Sequence, residues 1–138
     1  MKALTLTQPW ATLVAIGAKR IETRSWETLY RGPLAIHSAK TFPKWAREFT
    51  LDPVCYSAVQ ARYTVRSVET HAKGYPAYPL GCVVATCRLV ACKLIVESRD
   101  ALGLCADAMR MLPPPAPELY FGDYDPGRFA WILEDVQV

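Results

Sequence analysis

Hydrophobic and polar residues alternate along residues 3–7, and this period of two predicts a β-strand. Residues 34–38 and 128–134 are short apolar-rich runs that also predict strands, with successive side chains on opposite faces. In the last of these, the odd-numbered residues from Phe129 to Leu133 would share one face, with Ala130 and Ile132 on the other. A longer apolar run at residues 81–96 predicts either one curved strand or two strands joined by a bend.

Apolar residues at helical spacing predict three helices. The first begins at Pro9 and ends at Gly17, a residue suited to a left-handed C-cap. Thr41 is the predicted N-cap of the second helix, and the third runs from residue 52 to about residue 72. Several short strands, few helices and no regular strand–helix–strand alternation indicate an α+β, mostly β domain, a small barrel with flanking helices.

The composition fits one folded domain. The chain has 138 residues, of which 51% are hydrophobic, and a chain of this length can bury a single core. No apolar run approaches the roughly 18 residues of a membrane span. The first residues also lack the apolar stretch of a signal peptide. We therefore expect a cytoplasmic protein with no membrane partner.

The five cysteines do not have the spacing of a metal or redox motif. Cys82, Cys87 and Cys92 are five residues apart within the long apolar run, so a regular strand would place Cys87 on the face opposite the other two. We interpret the cysteines as small buried thiols in a reducing compartment, and we predict neither a metal site nor a cofactor.

Positive charge is concentrated in the first part of the chain. Residues 1–50 carry eight Lys and Arg against three Glu, whereas residues 111–138 carry one Arg against five acidic residues. The formal net charge is only +3, but a basic first part favours an anionic partner, with phosphate the obvious class. A basic surface without such a partner is the alternative that charge alone leaves open.

The charged residues that follow the first helix are the strongest functional signal. In an extended chain Glu22 and Arg24 project to the same face, and a bend after Gly17 would bring Lys19 beside them. Arg supplies a planar fork for phosphate or a base edge, and Lys supplies a point charge. Glu can orient the Arg, accept a base N–H or transfer protons. The alternative is a surface strand with ordinary ion pairs.

The run Gly17-x-Lys19-x-x-Glu22-x-Arg24 matches the G-x-K-x-x-E-x-R signature of the ASCH domain family, which this chain resembles. Further similar segments lie at residues 8–11, 25–26, 30–34, 36–40, 81–85 and 122–131. The similarity covers both ends and the middle of the chain. It implies a single domain over residues 1–138 with a helical insertion at about residues 41–73.

This resemblance implies a PUA-like fold, which is a β-barrel with flanking helices around a cleft. It also implies that the cleft binds RNA or another nucleic acid or nucleotide. Carried over by position, Lys19, Glu22 and Arg24 would line the cleft. Trp26 and Tyr30 flank the charged segment, where aromatic rings would stack on bases.

Four further residues complete the predicted nucleic-acid-binding set: Arg31, His37, Lys40 and Arg128. His37 is alternatively a histidine satisfied within the barrel, and Arg128 alternatively braces the acidic closing turn. Three of the tryptophans lie on apolar periodic faces and are interpreted as core residues. They are Trp10, Trp45 and Trp131.

Two other functions stay open. Some relatives in the family are hydrolases that cleave RNA or remove the acetyl group of N4-acetylcytidine, and in such an enzyme Lys19 and Glu22 would be catalytic. The amidohydrolase branch uses its lysine with a threonine and a separate glutamate, whereas Glu22 occupies the threonine position here. The other alternative is a protein-interaction domain that presents the helices of residues 41–73 and the proline-rich loop at residues 113–117.

Overall fold

The computed structural model describes residues 1–62, 77–98 and 109–138. Its six strands are β1 (Lys2–Leu6), β2 (Ile21–Arg24), β3 (Gly32–Ser38), β4 (Val83–Ile95), β5 (Arg110–Met111) and β6 (Phe129–Gln137). Its helices are α1 (Trp10–Ala15), α2 (Lys44–Phe49), α3 (Pro53–Arg62) and a 3-10 helix at Glu118–Phe121.

The strands form one mixed sheet in the order β1-β3-β4-β6-β2, with β5 paired to β4. The β1–β3 and β4–β5 pairs are parallel, and the other pairs are antiparallel. The sheet curls into a half-barrel around an apolar core to which α1 contributes Ala11 and Val14. This is the α+β, mostly β architecture that the sequence predicted, and it is consistent with a PUA-like fold.

Strand β6 confirms the prediction that its successive side chains lie on opposite faces. Trp131 and Leu133 are buried in the main core, and Phe129 packs against it. Ala130 and Ile132 belong to a separate cluster on the opposite face, together with Ile95. The period of two therefore places the side chains correctly in the strand that pairs with both β2 and β4.

The long apolar run forms a single strand, β4, whose faces change along its length. Its pairing with β6 shifts register between Thr86 and Arg88 and again between Leu89 and Ala91, as at a β-bulge. The second shift adds one residue to β4 between Leu89 and Ala91, so Cys87 and Cys92 lie in the same core cluster. The prediction that Cys87 faces away from Cys92 is therefore wrong.

The four thiols among the described residues differ in exposure, and Cys105 lies outside those residues. Cys55, Cys87 and Cys92 are buried as predicted, whereas Cys82 is exposed, because it lies in the turn before β4. Burial raises the pKa of Cys55 to about 12, with a contribution from Asp52, and that of Cys87 to about 11. Neither of these two thiols supplies a thiolate nucleophile at neutral pH.

The second helix begins later than predicted, whereas the third begins where the sequence placed it. The N-cap of α2 is Pro43, not Thr41. A proline disfavours helical backbone at the residue before it, here Phe42, so the helix starts later. At the start of α3, Asp52 Oδ1 accepts a hydrogen bond from the Val54 amide. The predicted continuation of this helix to residue 72 lies outside the described residues.

Helix α1 ends in a Schellman motif that directs the next residues inward. Gly17 has φ of +73°, its amide donates to Val14 O, and the amides of Ala18 and Lys19 both donate to Leu13 O. This left-handed residue reverses the chain in the manner expected of a glycine at this position. The reversal carries Lys19 into the interior. This is the bend after Gly17 that would bring Lys19 beside Glu22 and Arg24.

Replacement of Gly17 by alanine is expected to lower the free energy of unfolding by about 1 kcal/mol, because a Cβ atom disfavours the left-handed conformation. There is space for the atom itself, since the nearest contact would be Arg62 Nη1 at 3.8 Å. Gly17→Asn is the matched control and should lose less, because Asn tolerates this conformation. Urea unfolding measures both; equal losses in the two variants would contradict the explanation.

Candidate ligand-binding cleft

A cleft of about 400 Å³ opens where the half-barrel leaves its two edge strands, β1 and β2, unpaired with each other. Residues from β1, α1, β2, α2, the 3-10 helix and the segment after it form its walls. They are Thr5, Leu6, Thr7, Trp10, Glu22, Thr23, Arg24, Trp45, Tyr120, Phe121, Gly122 and Asp123.

The carboxylate of Glu22 is shared between two cations at this cleft. Lys19 Nζ lies 3.4 Å from Glu22 Oε2 and donates a hydrogen bond to Ile21 O. Arg24 Nε lies 3.6 Å from Glu22 Oε1, while its Nη2 donates to Thr5 O on β1 at 3.2 Å. The structure thus brings together all three charged residues of the motif.

Lys19 is only 1% exposed, which is unusual for a lysine. A buried ammonium needs a counter-ion and hydrogen-bond acceptors to offset the loss of hydration, and Glu22 and the Ile21 carbonyl supply them. Glu22 and Arg24, in contrast, line the cleft directly. Lys19 therefore supports the cleft from beneath, and Glu22 and Arg24 form part of its surface.

Side chains cover the free edge of β2. Glu118 accepts one hydrogen bond from the Arg20 amide and one from the Ile21 amide, each at 3.0 Å. Farther along, Thr23 Oγ1 accepts from the Asp123 amide at 3.1 Å. The pKa of Tyr124 is raised far above its usual range, mainly by burial. The negative charges of Glu118 and Glu22 and a hydrogen bond to Glu118 raise it further.

Four aromatic residues give the cleft its apolar walls, and one of them, Phe121, is fully buried. Trp45 and Tyr120 are 61% and 58% exposed. Trp10 is partly buried, stacks on Phe49 with ring centroids 5.0 Å apart and lies 5.6 Å from Trp45. The prediction that Trp45 packs in the core is wrong, because α2 turns Ala46 inward instead. Trp131 is buried, as predicted.

The other predicted aromatic residues lie outside the set that lines the cleft. Trp26 is 52% exposed and packs edge-to-face on Trp131 with ring centroids 4.7 Å apart. Tyr30 donates a hydrogen bond to Pro33 O and has the Lys2 ammonium 4.6 Å from its ring centroid. The structure therefore places neither ring among the side chains that surround Glu22 and Arg24.

The remaining predicted residues make local contacts. Arg31 donates to the backbone carbonyls beside it, and His37 Nδ1 lies 3.2 Å from Thr5 Oγ1 across the β1–β3 pair. Lys40 is exposed and its stem packs closely against Gly81. Arg128 braces the closing turn through Asp123 O at 3.1 Å and the Asp123 carboxylate at 3.5 Å.

The cleft also contains residues from distant parts of the chain that the sequence did not predict as site residues. Trp45 and Tyr120 are on the walls, and Asp123 adds a second carboxylate to the lining. The sequence signal for the wall that carries Tyr120 was the aromatic pair Tyr120-Phe121, which lies between a proline-rich loop and a glycine. Among the described lining residues Arg24 is the one cation and faces two carboxylates, so the lining is not basic as expected; the buried Lys19 beneath it brings the site close to charge balance.

The described residues contain no group of three or more His, Cys, Asp or Glu side chains that could hold a metal ion. In the same part of the chain, no helix has the length and apolar character needed to cross a membrane. The cleft itself offers the Glu22 carboxylate, the Arg24 guanidinium, the supporting Lys19 ammonium and aromatic faces.

Comparison with known proteins agrees with this architecture. Residues 4–125 match the ASCH domain, so the chain belongs to the ASCH domain family. It is also similar to activating signal cointegrator 1 of Homo sapiens and of Mus musculus, with 36% identity over 90 residues in each case. That match covers 64% of this chain but only 14% of each relative's length.

Replacement of Glu22 by glutamine should lower the free energy of unfolding by about 3 kcal/mol, because it leaves the Lys19 ammonium buried without a counter-ion. The double variant Lys19→Met/Glu22→Gln should lose less than Glu22→Gln alone, since it removes the uncompensated charge. Glu27→Gln, an exposed carboxylate, is the control. Urea unfolding decides: a loss no larger for Glu22→Gln than for Glu27→Gln would refute this role of the ion pair.

Proposed function

We propose that this ASCH domain binds single-stranded nucleic acid, with RNA as the partner, and holds one unpaired base in the cleft. The observation that carries the proposal is the position of the exposed Trp45 and Tyr120 rings beside the Glu22–Arg24 pair. Aromatic faces stack on bases, and charged planar groups bond to base edges. The cleft volume of about 400 Å³ is within the size range of small-ligand sites.

The charge balance of the cleft supports a base rather than a phosphate as its occupant. Arg24 is paired with Glu22, and the nearby Arg128 is paired with Asp123. A phosphate would bring a further negative charge against these two carboxylates. An uncharged base would instead use the free lone pairs of Glu22 and the guanidinium of Arg24 as acceptor and donor.

In this arrangement the phosphates remain outside the cleft, where solvent-exposed cations meet them. Lys44 is suited to this role, since it is highly exposed and directly precedes Trp45 on α2. Its partner, Glu48 at 3.6 Å, is itself exposed, so the pair is weak and easily exchanged for a phosphate contact. Lys19, which is buried, acts through Glu22.

Trp45→Ala should weaken binding of an unstructured ten-nucleotide RNA by about 1–3 kcal/mol, the usual contribution of one stacked base. Tyr56→Ala is the matched control, because Tyr56 is an exposed aromatic on α3 that does not line the cleft. Fluorescence anisotropy gives the dissociation constants, and a salt series gives the number of phosphates contacted from a log–log slope of about −0.7 for each.

Equal affinities of the two variants would contradict the stacking role of Trp45. Absence of binding to RNA and to DNA of the same sequence would overturn the proposal as a whole. Binding to DNA with the higher affinity would retain the cleft and its stacking role but overturn RNA as the partner.

A hydrolase that acts on RNA or on an acylated cytidine is the second candidate. The buried Lys19 ammonium, 3.4 Å from the Glu22 carboxylate at the cleft, favours it, since a desolvated lysine beside a proton carrier is a common base or nucleophile. In that enzyme a proton would first pass from the Lys19 ammonium to the Glu22 carboxylate. The neutral Lys19 amine would then take a proton from the attacking water, and the Glu22 carboxylic acid would give its proton to the leaving group.

The hydrolase candidate predicts that wild-type protein converts N4-acetylcytidine to cytidine, or shortens the ten-nucleotide RNA, and that Lys19→Met abolishes the turnover. Methionine keeps the side-chain volume, and circular dichroism checks that the variant is folded. Chromatography of the products measures turnover. No product from the wild type, or undiminished product from a folded Lys19→Met variant, would remove this candidate.

A further inference from the structure

We propose that Glu118 is the positioning residue of the cleft: it fixes the wall that carries Tyr120 to the strand that carries Glu22 and Arg24. Glu118 accepts an unusual pair of hydrogen bonds from the backbone. Glu118 Oε1 accepts from the Ile21 amide at 3.0 Å, and Oε2 accepts from the Arg20 amide at 3.0 Å. A carboxylate that accepts two backbone N–H groups makes stronger bonds than a neutral acceptor.

The geometry of β2 explains why these bonds are needed. Arg20 O accepts from the Leu133 amide, and Glu22 lies opposite Trp131 in the pairing with β6. In an antiparallel edge strand, alternate residues direct their amide and carbonyl groups away from the partner strand. Ile21 is such a residue, and its amide is bonded to Glu118 while its carbonyl is bonded to Lys19.

Glu118 and Lys19 therefore take the place of a neighbouring strand at Ile21. Backbone groups left without partners in a partly buried position are costly, so the position of this strand edge depends on both side chains. Because Lys19 is also the partner of the Glu22 carboxylate, a displacement of Ile21 is transmitted to the ion pair at the cleft.

The same carboxylate fixes the opposite wall. Glu118 begins the 3-10 helix, and Tyr120 follows two residues later with its amide bonded to Pro117 O at 2.9 Å. A second attachment lies beyond the ring, where the Asp123 amide donates to Thr23 Oγ1 at 3.1 Å. Tyr120 thus lies between two points at which its segment is joined to β2.

The approach at the second attachment is close. A Cβ atom on Gly122 would lie 3.2 Å from Thr23 Oγ1 and 3.0 Å from Tyr124 Cε2, which is tighter than ordinary packing. The two attachments, Glu118 to Arg20 and Ile21 and Asp123 to Thr23, therefore hold the segment against β2 along its length. Loss of the first should change the separation of Tyr120 from Glu22 and Arg24 without removing any lining side chain.

The test compares Glu118→Ala and Glu118→Gln with Glu97→Gln, an exposed carboxylate outside the cleft that gives the same charge change as the glutamine variant. Two-dimensional NMR follows amide exchange at Ile21 and the side-chain Nε–H signal of Arg24. We expect Glu118→Ala to speed exchange at Ile21 by roughly tenfold or more and to shift the Arg24 signal. Glu118→Gln should give a smaller change, because its carbonyl oxygen still accepts.

The binding consequence rests on the proposed function and is measured separately. With the ten-nucleotide RNA, Glu118→Ala should weaken affinity by roughly tenfold, Glu118→Gln by less, and Glu97→Gln only slightly, with the same number of phosphates contacted in all variants. If wild-type protein binds no nucleic acid, the proposed function fails while the exchange and Arg24 data still decide the role of Glu118.

Unchanged Ile21 exchange and an unchanged Arg24 signal in Glu118→Ala would overturn the positioning role. An equal loss of RNA affinity in Glu97→Gln would also overturn it, because the effect would then be one of net charge. If Glu118→Ala fails to fold, Glu118→Gln carries the test: no change at Ile21 or Arg24 relative to Glu97→Gln contradicts the proposal, and a graded change supports it.

Discussion

The cleft depends on one carboxylate that neutralises a buried ammonium and also holds a guanidinium. Glu22 lies 3.4 Å from Lys19 Nζ and 3.6 Å from Arg24 Nε. Without Glu22, Lys19 would be a buried charge with only a carbonyl partner, a state that proteins avoid. The same carboxylate helps to orient Arg24, whose other end reaches Thr5 O on β1. One ion-paired group thus links the stability of the barrel interior to the geometry of the ligand site.

The open side of the half-barrel explains why the site forms where it does. Edge strands β1 and β2 are joined by Arg24 rather than by a ladder of backbone hydrogen bonds, so a hollow remains between them. Glu118 and Lys19 satisfy the outward-facing groups of β2 that a further strand would otherwise bind. The side chains that protect the sheet edge are therefore also those that shape the cleft.

Much of this organisation was predictable because it is local. The two faces of β6 and the left-handed Gly17 are encoded within a few residues, and the extended charged segment places Glu22 and Arg24 on one face. Features set by distant contacts were not predictable. The two register shifts between β4 and β6 depend on how these strands pair, and the Glu118 bonds to Arg20 and Ile21 join residues that are 98 and 97 positions apart. The outward orientation of Trp45 depends on how α2 packs.

The most direct test of the central claim is a map of ligand contacts by NMR. An unstructured RNA oligonucleotide is titrated into isotopically labelled protein, and the indole N–H and Arg Nε–H signals are followed. The account predicts that the largest changes occur at Arg24, Trp10 and Trp45, which share the cleft. Unchanged signals at these three residues, with shifts concentrated instead at Arg20 and Arg62, which line a separate pocket, would contradict it.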